Sequence, residues 1–196
     1  GEVARDLLAA GKEVFMEKPM AVSVEQAERI LAAARASGKG LMVAYMKRYD
    51  AGNVLVKSLL ERFRASGEMG AMRFVRNHGF CGDWTGGLDV PMVQTDEKYP
   101  ETPARYPSWL PSEHVNGYLN YLQQYTHNVN LVRWFLGVGG DVKVKAVELD
   151  KEKGVRGVVV LEVGGVTTVI ESGSVAYHGW DEHTQIYFDG GWVRTD

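Results

Sequence analysis

Gly11-Lys12-Glu13-Val14-Phe15-Met16-Glu17-Lys18-Pro19-Met20 is the stretch on which the fold turns. Glu13 to Met16 has the length and apolarity of a short buried strand. Gly11 sits where it would cap the helix-like run from Glu2 to Ala10. Pro19 fixes its own φ and pushes Lys18 toward an extended conformation, so the strand ends there. Ser23 with Gln26 reads as a capping box, and Ala27, Ile30, Leu31 and Ala34 repeat at helical spacing until Gly38. Leu41 to Met46 is a second apolar run of strand length. Strand, helix and strand make a βαβ crossover, whose strands are normally parallel and covered on both faces. Two strands do not make a stable doubly wound sheet, so further strands are expected outside this chain.

Beyond the crossover the pattern changes. Asp50 can cap a helix to Ser66 that Gly67 closes, and Met72, Phe74 and Arg76 open a strand. From Gly82 to Ser112 runs a stretch holding Pro91, Pro100, Pro103, Pro107 and Pro111, and loops of that length are usually functional. Val115 to Leu136 has helical periodicity and stops at Gly137. The remainder is strand-like: Val142 to Leu149, Val155 to Val163, Val166 to Val175 and Thr184 to Phe188, with Gly164-Gly165 as a hairpin turn. A last strand begins at Trp192, with nothing after it to pair with. The fold class expected is α/β and α+β: a remnant of a parallel Rossmann sheet, then an open, mostly antiparallel sheet with helices on one face.

The chain carries 22 basic and 25 acidic side chains, a net charge of -3, which gives no electrostatic footprint for nucleic acid or an anionic membrane. Its 45% hydrophobic and 24% charged content is that of a soluble globular protein. No apolar run approaches the length of a membrane span. A lone cysteine, Cys81, cannot form an internal disulfide and suits a reducing, cytoplasmic compartment. The chain opens at Gly1 without methionine or signal-like sequence, and we expect it to be part of a longer protein, truncated at both ends.

Two features suggest chemistry. Lys18 stands at the carboxyl end of a parallel strand, where open α/β sheets place their ligands; the plainer reading is a solvated loop lysine. Between Val115 and Leu136 there is no acidic residue, and Asn116, Asn120, Gln123, His127, Asn130 and Trp134 recur at spacings of four and three. That stripe suits a cleft for hydroxyl-rich ligands, with Leu119, Leu122, Val129 and Leu136 packing on another side; the alternative is a solvated or internally satisfied face. Trp84, Tyr99, Tyr106 and Trp109 can stack on sugar rings or simply anchor the long loop. His178, Asp181, Glu182 and His183 fall in an apparent turn without defined ligand geometry, and no metal is expected. Gly137 to Gly140 follows a helix and is a helix stop, not a phosphate loop.

The Gly11–Met20 block, the Ser23–Gly38 helix, Lys47-Arg48-Tyr49-Asp50, and His127 with Arg133-Trp134-Phe135-Leu136-Gly137 together resemble the C-terminal portion of the Gfo/Idh/MocA family of nicotinamide-dependent sugar oxidoreductases. The resemblance implies two domains: residues 1–47, the end of a Rossmann domain, and 48–196, a substrate-binding and dimerisation domain. It implies NAD or NADP as cofactor of the intact protein, bordered by Glu17, Lys18 and Pro19. Lys18 and His127 would be the reacting pair with Gln123 beside them, and Arg48, Tyr49, Asn120, Gln123, Asn130 and Trp109 would bind a sugar or polyol. It further implies a homo-oligomer built on the open sheet face from Val155 to Val175. Three departures stand out. The glycine-rich dinucleotide fingerprint is absent, so this stretch alone is expected to bind NAD(H) weakly and to be inactive. The family's aspartate four residues before the histidine is Gln123, and the one three residues after is Asn130. A carboxylate favours the imidazolium, whereas an amide orients the ring without charge. The competing reading is a non-catalytic sugar-binding or oligomerisation module of the same fold.

Overall fold

The computed structural model describes residues 1–83, 86, 89, 93, 95–98, 105–137, 141–150, 153–177 and 179–195. The chain divides into two compact units, one of residues 1–46 and 102–126, the other of residues 47–101 and 127–196.

In the first unit, α1 (Glu2–Ala9) ends one residue earlier than its composition suggests, and Gly11 takes the left-handed turn at φ 73 that leads into the strand. Strand β1 is Val14–Glu17 and β2 is Leu41–Ala44, parallel and in register from Val14↔Leu41 to Glu17↔Ala44. The second strand is shorter than its apolar run, because the chain turns into a 3-10 helix at Met46–Tyr49. Between them runs α2 (Val24–Ser37), capped by Ser23, whose Oγ accepts the Gln26 amide at 3.2 Å. The Gln26 side chain reaches back to the Val22 amide, one residue before the usual capping-box partner. Ala4, Leu8, Val14 and Ile30 form the buried core, flanked by Met16, Met20 and Leu41. Coverage on both faces was the expectation for a parallel pair. Only one face is packed within this unit, and Phe15 and Met42, opposite each other in register, are exposed.

The second unit is a six-stranded mixed sheet in the order β4-β5-β6-β3-β7-β8. The strands are β3 (Met72–Cys81), β4 (Val142–Leu149), β5 (Gly157–Val163), β6 (Val166–Ser174), β7 (Trp180–Phe188) and β8 (Gly191–Arg194). Strand β3 runs parallel to β6 and antiparallel to β7; every other pairing is antiparallel. Alternation decides the faces. Val75, Asn77, Gly79 and Cys81 turn to the covered side with Ile170, Ile186 and Phe188, while Phe74, Arg76, His78 and Phe80 turn to the other. The covered side packs against α3 (Ala51–Ser66) and α5 (Thr126–Leu136) through Leu60, Phe63, Leu131, Val132 and Phe135. Burying a side chain such as Leu60 or Phe135 contributes about 1.5–3 kcal/mol. Cations on α3 complete the carboxyl end of α5: Lys57 Nζ donates to the Trp134 carbonyl at 2.9 Å and Arg64 to that of Phe135 at 2.8 Å.

Two expectations are refined and two are corrected. The helical run expected from Val115 to Leu136 is there, with a π turn (Tyr121–Tyr125) between α4 (Val115–Asn120) and α5. A strand was expected from Val155, but β5 begins at Gly157, because the Asp150 carboxylate gathers the amides of Lys153, Val155 and Arg156 at 2.7, 2.9 and 2.6 Å and holds them in a turn. Those three donors hold the Asp150 carboxyl well below the ordinary carboxylate range. His183 lies within β7 opposite His78, not in a turn. The strand expected from Trp192 is β8, which pairs with β7 before it, Trp192 opposite Tyr187.

Candidate functional site

Lys18 follows the last residue of β1, and its peptide bond to Pro19 is cis. Its ammonium donates to the main-chain carbonyl of Gln123 at 2.5 Å. That carbonyl belongs to the π turn, where the ordinary helical ladder is interrupted, and such turns occur often at functional sites. Tyr118 of α4 donates its hydroxyl to the Val22 carbonyl, a second tie between this helical segment and the loop after β1. Burial raises the Tyr118 phenol above its ordinary value. The first unit therefore unites Lys18 with Gln123. Asn120, of the same unit, donates to the Asn116 carbonyl of its own helix, and Trp109 is 68% exposed.

In the second unit His127 occupies the first turn of α5 and is 6% exposed. Two asparagines follow it on α5. Asn130 Oδ1 accepts from Arg48 Nε at 2.7 Å, and the Arg48 guanidinium lies 5.9 Å from the centre of the Trp134 ring. Asn128 is fully buried and donates to Asn77 Oδ1 at 2.8 Å and to Glu182 Oε1 at 3.2 Å. Asn77 in turn donates to Thr184 Oγ1 at 2.7 Å. The other Glu182 oxygen holds the ammonium of Lys47, whose carbonyl accepts from Asn53 Nδ2 at 2.9 Å. Gly79 faces this amide cluster: a Cβ on it would lie 2.6 Å from Asn128 Nδ2. Tyr49 beside Arg48 is 69% exposed.

Arg48 and Asn130, both expected in the site, are thus joined directly, while the Lys47–Glu182–Asn128–Asn77 chain was not foreseen. Its signal in the sequence is slight: a lysine before Arg48, an asparagine after His127 and a glutamate in a strand. Of the polar stripe, Asn116, Asn120 and Gln123 belong to the first unit and His127, Asn130 and Trp134 to the second. Trp84, Tyr99 and His178 lie outside the described residues.

The opposite face of the sheet bears a second group of titratable side chains. Arg76 makes a bidentate pair with Glu171 at 2.9 and 2.8 Å, and the His78 ring nitrogens lie 2.5 Å from Glu171 and 3.2 Å from Asp181. Burial raises the Glu171 carboxyl, but hydrogen bonds from Arg76 and His78 outweigh it and leave it below the ordinary value. Burial, reinforced by Arg194 and His78, lowers His183 and keeps its ring neutral near pH 7. A cavity of about 480 Å³ at this end is lined by His78, Phe80, Tyr177, Trp180 and Asp181, on the side of β3 away from Asn128. Of the residues singled out by sequence, Arg48 and Asn130 are held by the side-chain contacts around α5, not by this hollow. Among the described residues no group of His, Cys, Asp and Glu is arranged to hold a metal ion, and no helix is long and apolar enough to cross a membrane.

Residues 1–45 match the Gfo/Idh/MocA family model, described as an oxidoreductase family with an NAD-binding Rossmann fold. Over 193 residues the chain is 24% identical to inositol 2-dehydrogenase of Salmonella paratyphi B, covering 94% of this chain and 48% of that protein. It is 30% identical over 131 residues to inositol 2-dehydrogenase 3 of Saccharopolyspora erythraea, covering 66% of this chain and 29% of that protein. The crystal structure of scyllo-inositol dehydrogenase from Lactobacillus casei with bound NAD(H) and scyllo-inositol superposes with a TM-score of 0.67 at 17% identity, covering 98% of this chain and 53% of that one. The α/β fold expected from the sequence is therefore shown, as is the resemblance that led to it. The chain spans about half the length of the first curated relatives it matches.

Proposed function

For a chain whose first 45 residues match the Gfo/Idh/MocA oxidoreductases, we propose the reacting centre of an NAD(P)-dependent oxidoreductase acting on a sugar, polyol or related hydroxylated substrate, with Lys18 and His127 at that centre. The observation that carries this reading is the Lys18 ammonium seated on the Gln123 carbonyl, in the π turn four residues before His127 in the sequence. The family description and the inositol dehydrogenase relatives supply the reaction class.

The donor set fits one end of the cofactor. Glu17 and Lys18, at the carboxyl end of parallel β1, offer a carboxylate and an ammonium suited to ribose hydroxyls and a carboxamide, with Pro19 fixing the turn. A nicotinamide held there would supply the hydride-accepting chemistry for oxidation of a carbinol carbon. The chain's own part is the proton. Lys18 hydrogen-bonds the substrate oxygen, and His127 takes the hydroxyl proton onto its imidazole. Arg48 and Asn130, held to each other, present donors and acceptors to the remaining hydroxyls, with Tyr49, Asn120, Gln123 and Trp109 as further candidates for substrate contact. Gln123 supplies an amide where a carboxylate would raise the basicity of the ring, so the histidine works without a charged neighbour at that position.

A second reading, a sugar-binding or assembly module without catalysis, is favoured by that same Gln123. Turnover decides between them. The intact protein, supplied with NAD⁺ or NADP⁺ and a panel of inositols and aldoses, is expected to reduce the cofactor. Lys18→Ala and His127→Asn are each expected to lower kcat by about 10²–10⁴-fold, with thermal stability nearly unchanged for Lys18→Ala. Variants that keep wild-type turnover would remove both residues from the mechanism. A wild type that binds an inositol but never reduces the cofactor would favour the second reading.

Self-association belongs to the same proposal. Val158, Val160 and Val169 share the uncovered sheet face with Phe74 and the Arg76–Glu171 pair, a surface part apolar and part charged, as a self-complementary interface requires.

A further inference from the structure

A glutamate stands where a strand of this sheet would ordinarily carry an apolar residue. Glu182 occupies the covered side of β7, in line with Thr184, Ile186 and Phe188, and its side chain is 12% exposed. Desolvating a carboxylate and its lysine is costly, and apolar side chains in the same space would be about as stable or more so. The feature gained by keeping the ion pair is geometric.

Each Glu182 oxygen has its own partner, Asn128 Nδ2 on Oε1 and the Lys47 ammonium on Oε2. Lys47 is fixed through its carbonyl by Asn53, and its neighbour Arg48 holds Asn130. Asn128 and Asn130, one and three residues after His127, are thus tied to one dipeptide, Lys47-Arg48. Asn128 is tied a second time to β3 through Asn77. These ties fall on the first turn of α5, directly after the π turn, where the regular helical ladder is interrupted.

We infer that Glu182 is a positioning residue: by bridging Lys47 and Asn128 it fixes the first turn of α5 and with it the place and orientation of the His127 ring. This rests on the reading of His127 as the proton acceptor. Glu182 touches neither substrate nor cofactor in this scheme and acts through Asn128.

The test uses the intact protein with Glu182→Gln, Glu182→Asp and His127→Gln. Glutamine has the glutamate's shape but puts a donor NH2 at one of the two positions where Asn128 and Lys47 each need an acceptor; aspartate keeps two acceptor oxygens. Oxidation of myo-inositol with NAD⁺ gives kcat and KM, and the ring Cε1–H signal of His127, assigned by its loss in His127→Gln, reports the ring directly. Glu182→Gln is expected to lower kcat by at least about tenfold, as small displacements of a reacting group do. KM should stay within about threefold and the ring signal should shift or split, with Glu182→Asp intermediate in both readouts. Wild-type kcat and an unmoved ring signal in Glu182→Gln, even with lowered thermal stability, would overturn the inference and leave the network a folding device. If His127→Gln turns over like wild type, the catalytic reading fails, and the ring signal alone decides this one. Should Glu182→Gln not fold, Lys47→Gln carries the same two readouts with the same expectations.

Discussion

Replacing Asn128 by alanine tests the buried amide network most directly. The side chain is fully buried and donates to Asn77 Oδ1 at 2.8 Å, in a pocket that also holds Glu182. Its removal leaves the oxygen of Asn77, itself fully buried, without that donor, which costs about 1–3 kcal/mol. It also empties a space that Gly79 cannot fill, since the glycine has no side chain and its absent Cβ would lie 2.6 Å from the amide nitrogen. A hole of some 30–40 Å³ adds about 1 kcal/mol. The sum, about 2–4 kcal/mol, is a large part of the 5–15 kcal/mol typical of a folded domain. Urea unfolding followed by circular dichroism should show a lower midpoint with an unchanged slope. Adding Asn77→Ala to Asn128→Ala should cost less than the two single losses together, by about 1 kcal/mol, because the orphaned oxygen is then gone. A single-variant loss below about 0.5 kcal/mol, or strict additivity, would refute the account, since a buried hydrogen-bonded pair is not dismantled at so little cost.

Two further outcomes follow from other parts of the molecule. The Asp150 carboxyl is depressed by three backbone donors, so its contribution to stability is present above the ordinary carboxylate range and is lost as pH falls through the depressed value. Asp150→Asn should therefore be less stable than wild type at pH 7, with the difference shrinking below about pH 4; a difference independent of pH would contradict this. On the uncovered sheet face, Val160→Lys with Val169→Glu should convert an oligomer of the intact protein to smaller species in sedimentation velocity, and a wild type that is already a clean monomer at micromolar concentration would dispose of that interface.

Local punctuation made part of this structure legible. Asp50 and Gly67 bracket α3 because each acts through its own backbone: Asp50 accepts from the Gly52 and Asn53 amides, and Gly67 takes φ 70. The same holds for Ser23 and Gly38 around α2. The π turn escaped because nothing in Tyr121-Leu122-Gln123-Gln124-Tyr125 differs in composition from an ordinary helix. The Asn77–Asn128 bond escaped because its partners are 51 residues apart, on a strand and a helix whose juxtaposition no local pattern encodes. His183 was misplaced because the polar run Asp181-Glu182-His183 reads as a turn; in the sheet its members alternate, Glu182 to the covered face and Asp181 with His183 to the other. Lys18 was singled out because proline and strand end coincide at one point in the sequence.

The placement of β3 has a consequence for how the second unit comes into being. It is an interior strand of the sheet, yet both its neighbours come late: Arg76 pairs with a glutamate 95 positions on, and Asn77 with a threonine 107 positions on. On a ribosome adding about 5–20 residues per second, this strand waits roughly five to twenty seconds before either flank exists. Its sequence bears the mark of that wait. Arg76, Asn77 and His78 interrupt what would otherwise be an apolar run open to pairing with any other edge. The side chains that join the Glu171 and Asn128 networks are the same ones that break up the apolar run of the strand while it has no partner.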